Sequence, residues 1–139
     1  MLTIEKALVL NEVDFFSDLP GELLSEMAAA AEEMDVPAGQ KVTAKGEHSS
    51  AMYIIAAGRV RVHDGEKVIR ELGERCSFGT RCALDPRDRS NSVTTMEDSL
   101  LLKIEHEILF EFIAESPELA ERIIGSLCRR IGNDSLYPE

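Results

Sequence analysis

Glycine turns through the middle of the chain constrain its fold more than any other feature. Pro37-Ala38-Gly39 and Lys45-Gly46-Glu47 each mark a turn. Ala51-Met52-Tyr53-Ile54-Ile55-Ala56-Ala57-Gly58 reads as a mostly buried strand, and Arg59-Val60-Arg61-Val62-His63 alternates as a strand with one wet face does. Asp64-Gly65 is a hairpin signal joining it to Lys67–Leu72. Ser92–Met96 and Ser99–Ile104 supply two further strands. Short strands parted by glycine turns roughly every eight to twelve residues indicate a sandwich or jelly roll.

Helical periodicity flanks this block on both sides. Ile4, Ala7, Leu8 and Leu10 suit a helix over 3–12, which Asp14-Phe15-Phe16-Ser17-Asp18-Leu19-Pro20 breaks. Pro20 suits the first turn of a second helix running to Met34, with Leu23, Leu24, Met27, Ala28 and Ala31 on one face. After the strands, Glu105–Ala114 carries Ile108, Leu109, Phe112 and Ile113 in helical spacing. Ser116 and Pro117 read as N-cap and first residue of a last helix striped by Leu119, Ile123, Ile124, Leu127 and Ile131. Arg129 and Arg130 complement the dipole at its end, Gly132-Asn133 stops it, and Ser135–Glu139 is expected to fray. The expectation is a single domain over 1–139, α+β but mainly β. It comprises N-terminal helices over 1–34, a jelly-roll-like β-roll over 35–104 and C-terminal helices over 105–133.

The 139 residues are enough to bury a core without staples. A net charge of −11 opposes nucleic-acid phosphates and anionic lipid, so neither is an expected partner. No run reaches the about 18 apolar residues of a membrane span, and no basic-then-apolar leader opens the chain. With Cys76, Cys82 and Cys128 odd in number and irregular in spacing, a reducing cytoplasm is the expected location.

Against this acidity, four of the ten arginines (Arg75, Arg81, Arg87 and Arg89) fall within one short segment. It contains Ser77-Phe78-Gly79-Thr80 and Asp85-Pro86-Arg87-Asp88-Arg89-Ser90. A Phe-Gly turn opening a short helical stretch presents unpaired backbone N–H groups, and a nearby arginine adds two parallel donors. That is the chemistry of a phosphate pocket; the alternative is a solvated loop with scattered charge. His48, His63 and His106 are too dispersed for a metal set, so hydrogen-bonded or solvated imidazoles are expected. Cys76 and Cys82 flank the pocket as packing residues or, beside Arg75 or Arg81, as redox-sensitive thiols. No nucleophile-elbow context is present, and an enzyme is not expected.

In order and spacing these pieces resemble the cyclic nucleotide-binding domain family of catabolite activator-type regulators and protein kinase A regulatory subunits. The resemblance spans nearly the whole chain: Phe15–Pro20, Val36–Gln40, Lys45–Glu47, Met52–Gly58, Pro117–Ala120 and Arg129–Ile131. The family's phosphate-binding cassette corresponds to residues 78–92, beginning at Phe78. By this resemblance Gly79 takes the close-approach position, Cys82 and Ala83 offer backbone N–H groups, Arg89 pairs with the cyclic phosphate and Ser90 lies beside it. Thr80 stands where the family usually has a glutamate for the ribose 2′-hydroxyl. Arg75-Cys76 replaces Gly-Asp, Asn91 replaces a small apolar residue, and Arg81 adds a cation. The implied function is non-catalytic regulation, with cyclic AMP, cyclic GMP or a related phosphorylated anion as ligand, no required cofactor, and a signal passed to a partner protein. The other reading is a protein-interaction module with a non-binding pocket. The family's dimer helix and DNA-reading module would follow Ile131, and with the sequence ending at Glu139 no nucleic-acid output is expected, while a homodimer is allowed.

Overall fold

The computed structural model describes residues 1–133. Helices α1 (Thr3–Asn11) and α2 (Gly21–Ala30) flank a 3-10 turn at Asp14–Phe16. Strands β1 (Glu32–Val36), β2 (Lys41–Thr43), β3 (His48–Ser49), β4 (Ala51–Ala57), β5 (Val60–Asp64), β6 (Lys67–Leu72) and β7 (Ser77–Phe78) follow. The short helix α3 (Thr80–Leu84) leads to β8 (Arg87–Asp88), β9 (Ser92–Thr95) and β10 (Ser99–Glu105). Helices α4 (His106–Glu115) and α5 (Pro117–Asn133) follow, and end the described residues. The fold is α+β and mainly β, a jelly roll with helices at both ends.

One antiparallel sheet runs β1-β10-β4-β7, a second runs β2-β9-β5-β6, and β3 pairs β8. The continuous apolar run of β4 follows from its position, because it is covered on both faces. Met52 and Ile54 point into a core shared with Phe15, Phe16, Met27, Leu109 and Leu119 of the helices. Tyr53 and Ile55 point the other way, into a core between the sheets with Val60, Phe78, Val93 and Leu101. Strand β10 divides likewise, Leu102 and Ile104 facing the helices and Leu101 facing the other sheet. Full burial of each such side chain contributes about 1.5–3 kcal/mol, so the two cores hold the helices and both sheets around β4 and β10.

Several local expectations change. The second helix stops at Ala30 rather than Met34, because Glu32–Val36 pairs with Lys103–Ser99 of β10 and that ladder outweighs helix propensity. Ile4 and Leu8 are 68% and 64% exposed, since α1 turns Leu10 and part of Ala7 to the core instead. Ile124 is 60% exposed, while Leu119, Ile123 and part of Leu127 carry the buried stripe. A register shift between Val62 and His63 breaks the alternation of β5. It leaves His63 buried, with Nδ1 2.8 Å from the Gly65 carbonyl and Nε2 2.7 Å from Thr94 Oγ1. Ser116 Oγ accepts from the Leu119 N–H at 3.2 Å, as an N-cap does. The side chain of Ile131, the stop at Gly132-Asn133 and the fraying of Ser135–Glu139 lie outside the described residues and side chains.

Candidate functional site

Between β7 and α3 the chain turns through Gly79. Its φ of 79° is left-handed, and a Cβ there would lie 2.7 Å from both the Ala51 carbonyl oxygen and Arg89 Nη1. Only glycine fits without displacing backbone. This turn points the first N–H groups of α3 away from any intrahelical acceptor. Phe78 anchors the approach: it is buried and stacks on Tyr53 with ring centroids 5.0 Å apart. Burial pushes the Tyr53 phenol up, with Lys103 and Arg89 pulling the other way, so the aromatic floor is uncharged.

Arg89 is held by its backbone. Its N–H donates to the Glu47 carbonyl and its own carbonyl accepts from Gly46, both at 2.8 Å. The β3–β8 pair, His48 opposite Asp88, continues this clamp. The guanidinium carbon then lies 5.9 Å over the Phe78 ring centroid, and Nη1 is 3.7 Å from Cys82 Sγ. Among the described residues no carboxylate forms an ion pair with Arg89. An arginine fixed by its main chain and left without a counter-charge is prepared to meet an external anion.

These groups face a cavity of about 1040 Å³. Phe78, Gly79, Thr80, Arg81, Cys82, Arg89 and Ser90 line it, as does Asn91. Ala83 does not: its methyl is fully buried in the helix-side core, and its N–H donates to the Gly79 carbonyl at 3.1 Å. Formation of α3 therefore consumes the N–H expected to face the anion, leaving those of Thr80, Arg81 and Cys82. Thr80 and Cys82 are each 5% exposed, whereas Arg81 and Ser90 are exposed. Arg75 and Cys76 stand outside the lining; Cys76 packs against the inter-sheet core.

Five lining residues lie outside the arginine-rich segment altogether: Val62, Ile69, Arg70 and Leu72 from the β5–β6 hairpin, and Arg130 from α5. Hairpin register places Val62 opposite Arg70, so pairing outward from Asp64-Gly65 is a signal that could have found them. Nothing local marks Arg130. On its far side α3 is tied to α4, where His106 Nδ1 donates to the Ala83 carbonyl at 2.6 Å. Among the described residues no group of three or more His, Cys, Asp or Glu side chains could hold a metal, and no helix is long and apolar enough to cross a membrane.

A sequence model of the cyclic nucleotide-binding domain matches residues 33–116. Over 128 residues the chain is 27% identical to the CRP-like cAMP-activated global transcriptional regulator of Mycobacterium tuberculosis, covering 88% of this chain and 57% of that protein. Among solved structures, the catabolite activator protein of Thermus thermophilus superimposes with a TM-score of 0.76 at 28% identity, over 85% of this chain and 58% of that one. The N-terminal domain of a transcriptional regulator from Streptomyces coelicolor shares the fold, with a TM-score of 0.80 at 23% identity over 88% and 89% of the two chains. The chain thus spans little more than half the length of the curated regulator it matches.

Proposed function

Because the chain belongs to the cyclic nucleotide-binding domain family, we propose that its cavity is a regulatory site for cyclic AMP, cyclic GMP or a related phosphorylated anion. In this reading the domain passes the binding event to a partner protein and catalyses no reaction. The observation that carries it is Arg89, clamped by its backbone over Phe78 and lacking a carboxylate partner among the described residues. The ligand phosphate accepts from Arg89 and from the N–H groups of Thr80, Arg81 and Cys82, with Ser90 at the rim. Gly79 permits the close approach, and the nucleoside lies toward Val62 and Leu72. Anion binding draws on α3, the Ala83–His106 hydrogen bond carries that displacement to α4, and α5 responds through its contact with α4. The ligand shifts this equilibrium only by favouring one arrangement over the other.

A cytoplasmic setting fits a site built from free thiols and arginines. The acidic surface of this domain is not itself suited to contact DNA. Relatives named as transcriptional regulators leave a DNA output open through other parts of a longer chain or through the partner.

Isothermal titration with cyclic AMP and cyclic GMP tests the reading. Binding that Arg89→Ala weakens ten- to a hundred-fold, the equivalent of about 1.5–3 kcal/mol for a charge-assisted bond, supports it. A folded protein that gives no heat with either nucleotide at millimolar concentration sinks the cyclic mononucleotide reading and turns the search to another anion or to partner proteins. One observation favours the second reading, an interaction module with a non-binding pocket: Thr80 is buried at the α3 N-terminus and offers no charged acceptor. Thr80→Glu separates the two, because it tightens cyclic nucleotide binding only where the rest of the pocket is sound.

A further inference from the structure

The charged side chains lining the cavity are five arginines, Arg70, Arg81, Arg87, Arg89 and Arg130, and one acid, Asp88. In a chain of net charge −11 this local excess opposes the sign of the whole protein. Arg87 is engaged by Asp85 at 3.3 Å, and Asp88 faces His48 at 3.4 Å. Arg70 and Arg81, like Arg89, form no ion pair with a carboxylate among the described residues.

A cyclic monophosphate carries a single negative charge, and Arg89 with the α3 N–H groups accounts for it. Arg70 is then left over. It belongs to β6, at the edge of the second sheet, whereas Arg81 lies on α3 and Arg89 directly follows β8, so the cavity receives cations from separate elements. Ile69 and Leu72 flank Arg70 with apolar surface on which a second base or sugar can rest. The cavity is open to solvent on one side, and its volume of about 1040 Å³, just above the roughly 300–1,000 Å³ of ordinary ligand pockets, leaves room for a ligand larger than a cyclic mononucleotide. Thr80 keeps the α3 end of the cavity free of a carboxylate that a polyanion would meet.

We propose that the ligand is a nucleotide bearing a second phosphate group, with Arg70 holding that phosphate while Arg89 holds the first and Arg81 adds to the field between them. This rests on the ligand-site reading above and narrows its ligand class. A linear nucleoside diphosphate and a cyclic dinucleotide share this chemistry, and the titration distinguishes them.

Cyclic AMP, ADP and cyclic di-AMP are titrated into wild type, Arg70→Ala and Arg89→Ala, at low and at near-physiological salt. ADP or cyclic di-AMP is expected to bind at least about ten-fold tighter than cyclic AMP, with the margin shrinking as salt rises. Arg70→Ala removes that margin, Arg70→Lys restores part of it, and Arg89→Ala weakens all binding. Arg70 is exposed on the edge strand of its sheet, so its replacement reports on binding rather than on folding. Cyclic AMP bound as tightly as both polyanions, or a margin that survives Arg70→Ala, overturns the inference while leaving the proposed function in place. Failure of folded wild type to bind any of the three, or cyclic GMP titrated alongside them, overturns both.

Discussion

Ser126, buried on α5, donates its hydroxyl to Asp14 Oδ2 in the N-terminal 3-10 turn at 2.9 Å. The bond joins the two ends of the described chain, and Arg129 Nη2 adds a longer contact to the same oxygen at 3.4 Å. Arg122 Nη1 reinforces the join by donating to the Ser17 carbonyl at 2.6 Å. The last helix is thereby fastened to a fixed part of the core.

The Asp14 carboxyl is held below its ordinary 3.8, first by the Ser126 hydrogen bond and then by Arg129, with partial burial opposing. A depressed folded value means that the stabilisation is present above the ordinary value and is lost as pH falls through the folded one. Ser126→Ala should therefore cost about 1 kcal/mol near neutral pH, and the cost should shrink in acid below 3.8. The Asp14 side chain is 59% exposed, so Arg129 adds only about 0.3 kcal/mol through solvent. Urea unfolding of wild type and variant at neutral and acidic pH measures the difference; a cost independent of pH would show that the ionised carboxylate is not the partner that matters.

Gly79→Ala should both destabilise the protein and empty the site of function. A methyl at a φ of 79° is strained and meets a backbone carbonyl and Arg89 Nη1, each at 2.7 Å. The expected loss is about 2 kcal/mol in thermal unfolding, accompanied by loss of any nucleotide response. Retained affinity would mean that the cassette turn is more pliable than its geometry indicates.

Arg75→Gly should act in the opposite direction. Arg75 has a φ of 70°, its N–H donates to the Ile55 carbonyl at 2.9 Å, and its side chain is exposed. Glycine relieves the left-handed cost while keeping the hydrogen bond, so a gain of about 1 kcal/mol is expected. The denaturation midpoint should rise; an unchanged or lower midpoint would show that the Arg75 side chain supports the fold through contacts beyond its backbone.

Thr94→Val isolates the polar centre of the second sheet. His63 Nδ1 faces a carbonyl, which only accepts, so Nδ1 carries the hydrogen and Nε2 accepts from the Thr94 hydroxyl. Removing that hydroxyl leaves a buried nitrogen without its partner, at a cost of about 1–3 kcal/mol. Double replacement with His63→Phe should cost less than the sum of the single changes, a comparison that equilibrium unfolding decides.

Much of the site was legible because its chemistry is local. The Phe78-Gly79 turn, the start of α3 and the arginine-rich return through Arg89 lie within one short stretch, and seven of the eight expected residues line the cavity. Ala83 is the exception, because whether an N–H faces a ligand or closes a helical turn depends on how far α3 winds. Arg70 and Arg130 escaped notice for the opposite reason: their neighbours in the cavity are distant in sequence.

The amino-acid sequence by itself determined the turns, the helix starts and the order of elements. Glycine φ preferences, the proline at the start of α5 and the Ser116 cap act within a few residues and need no partner. Tertiary structure alone decided that Glu32–Met34 leave the helix for a strand, that His63 turns inward, and that Ile4, Leu8 and Ile124 face solvent. Each of these outcomes is set by a surface brought from elsewhere in the chain: the β10 edge, the β5 register shift, or the one stripe of each helix that the core can cover. Local propensities are worth tenths of a kcal/mol per residue, whereas strand pairing and burial act on whole segments and override them.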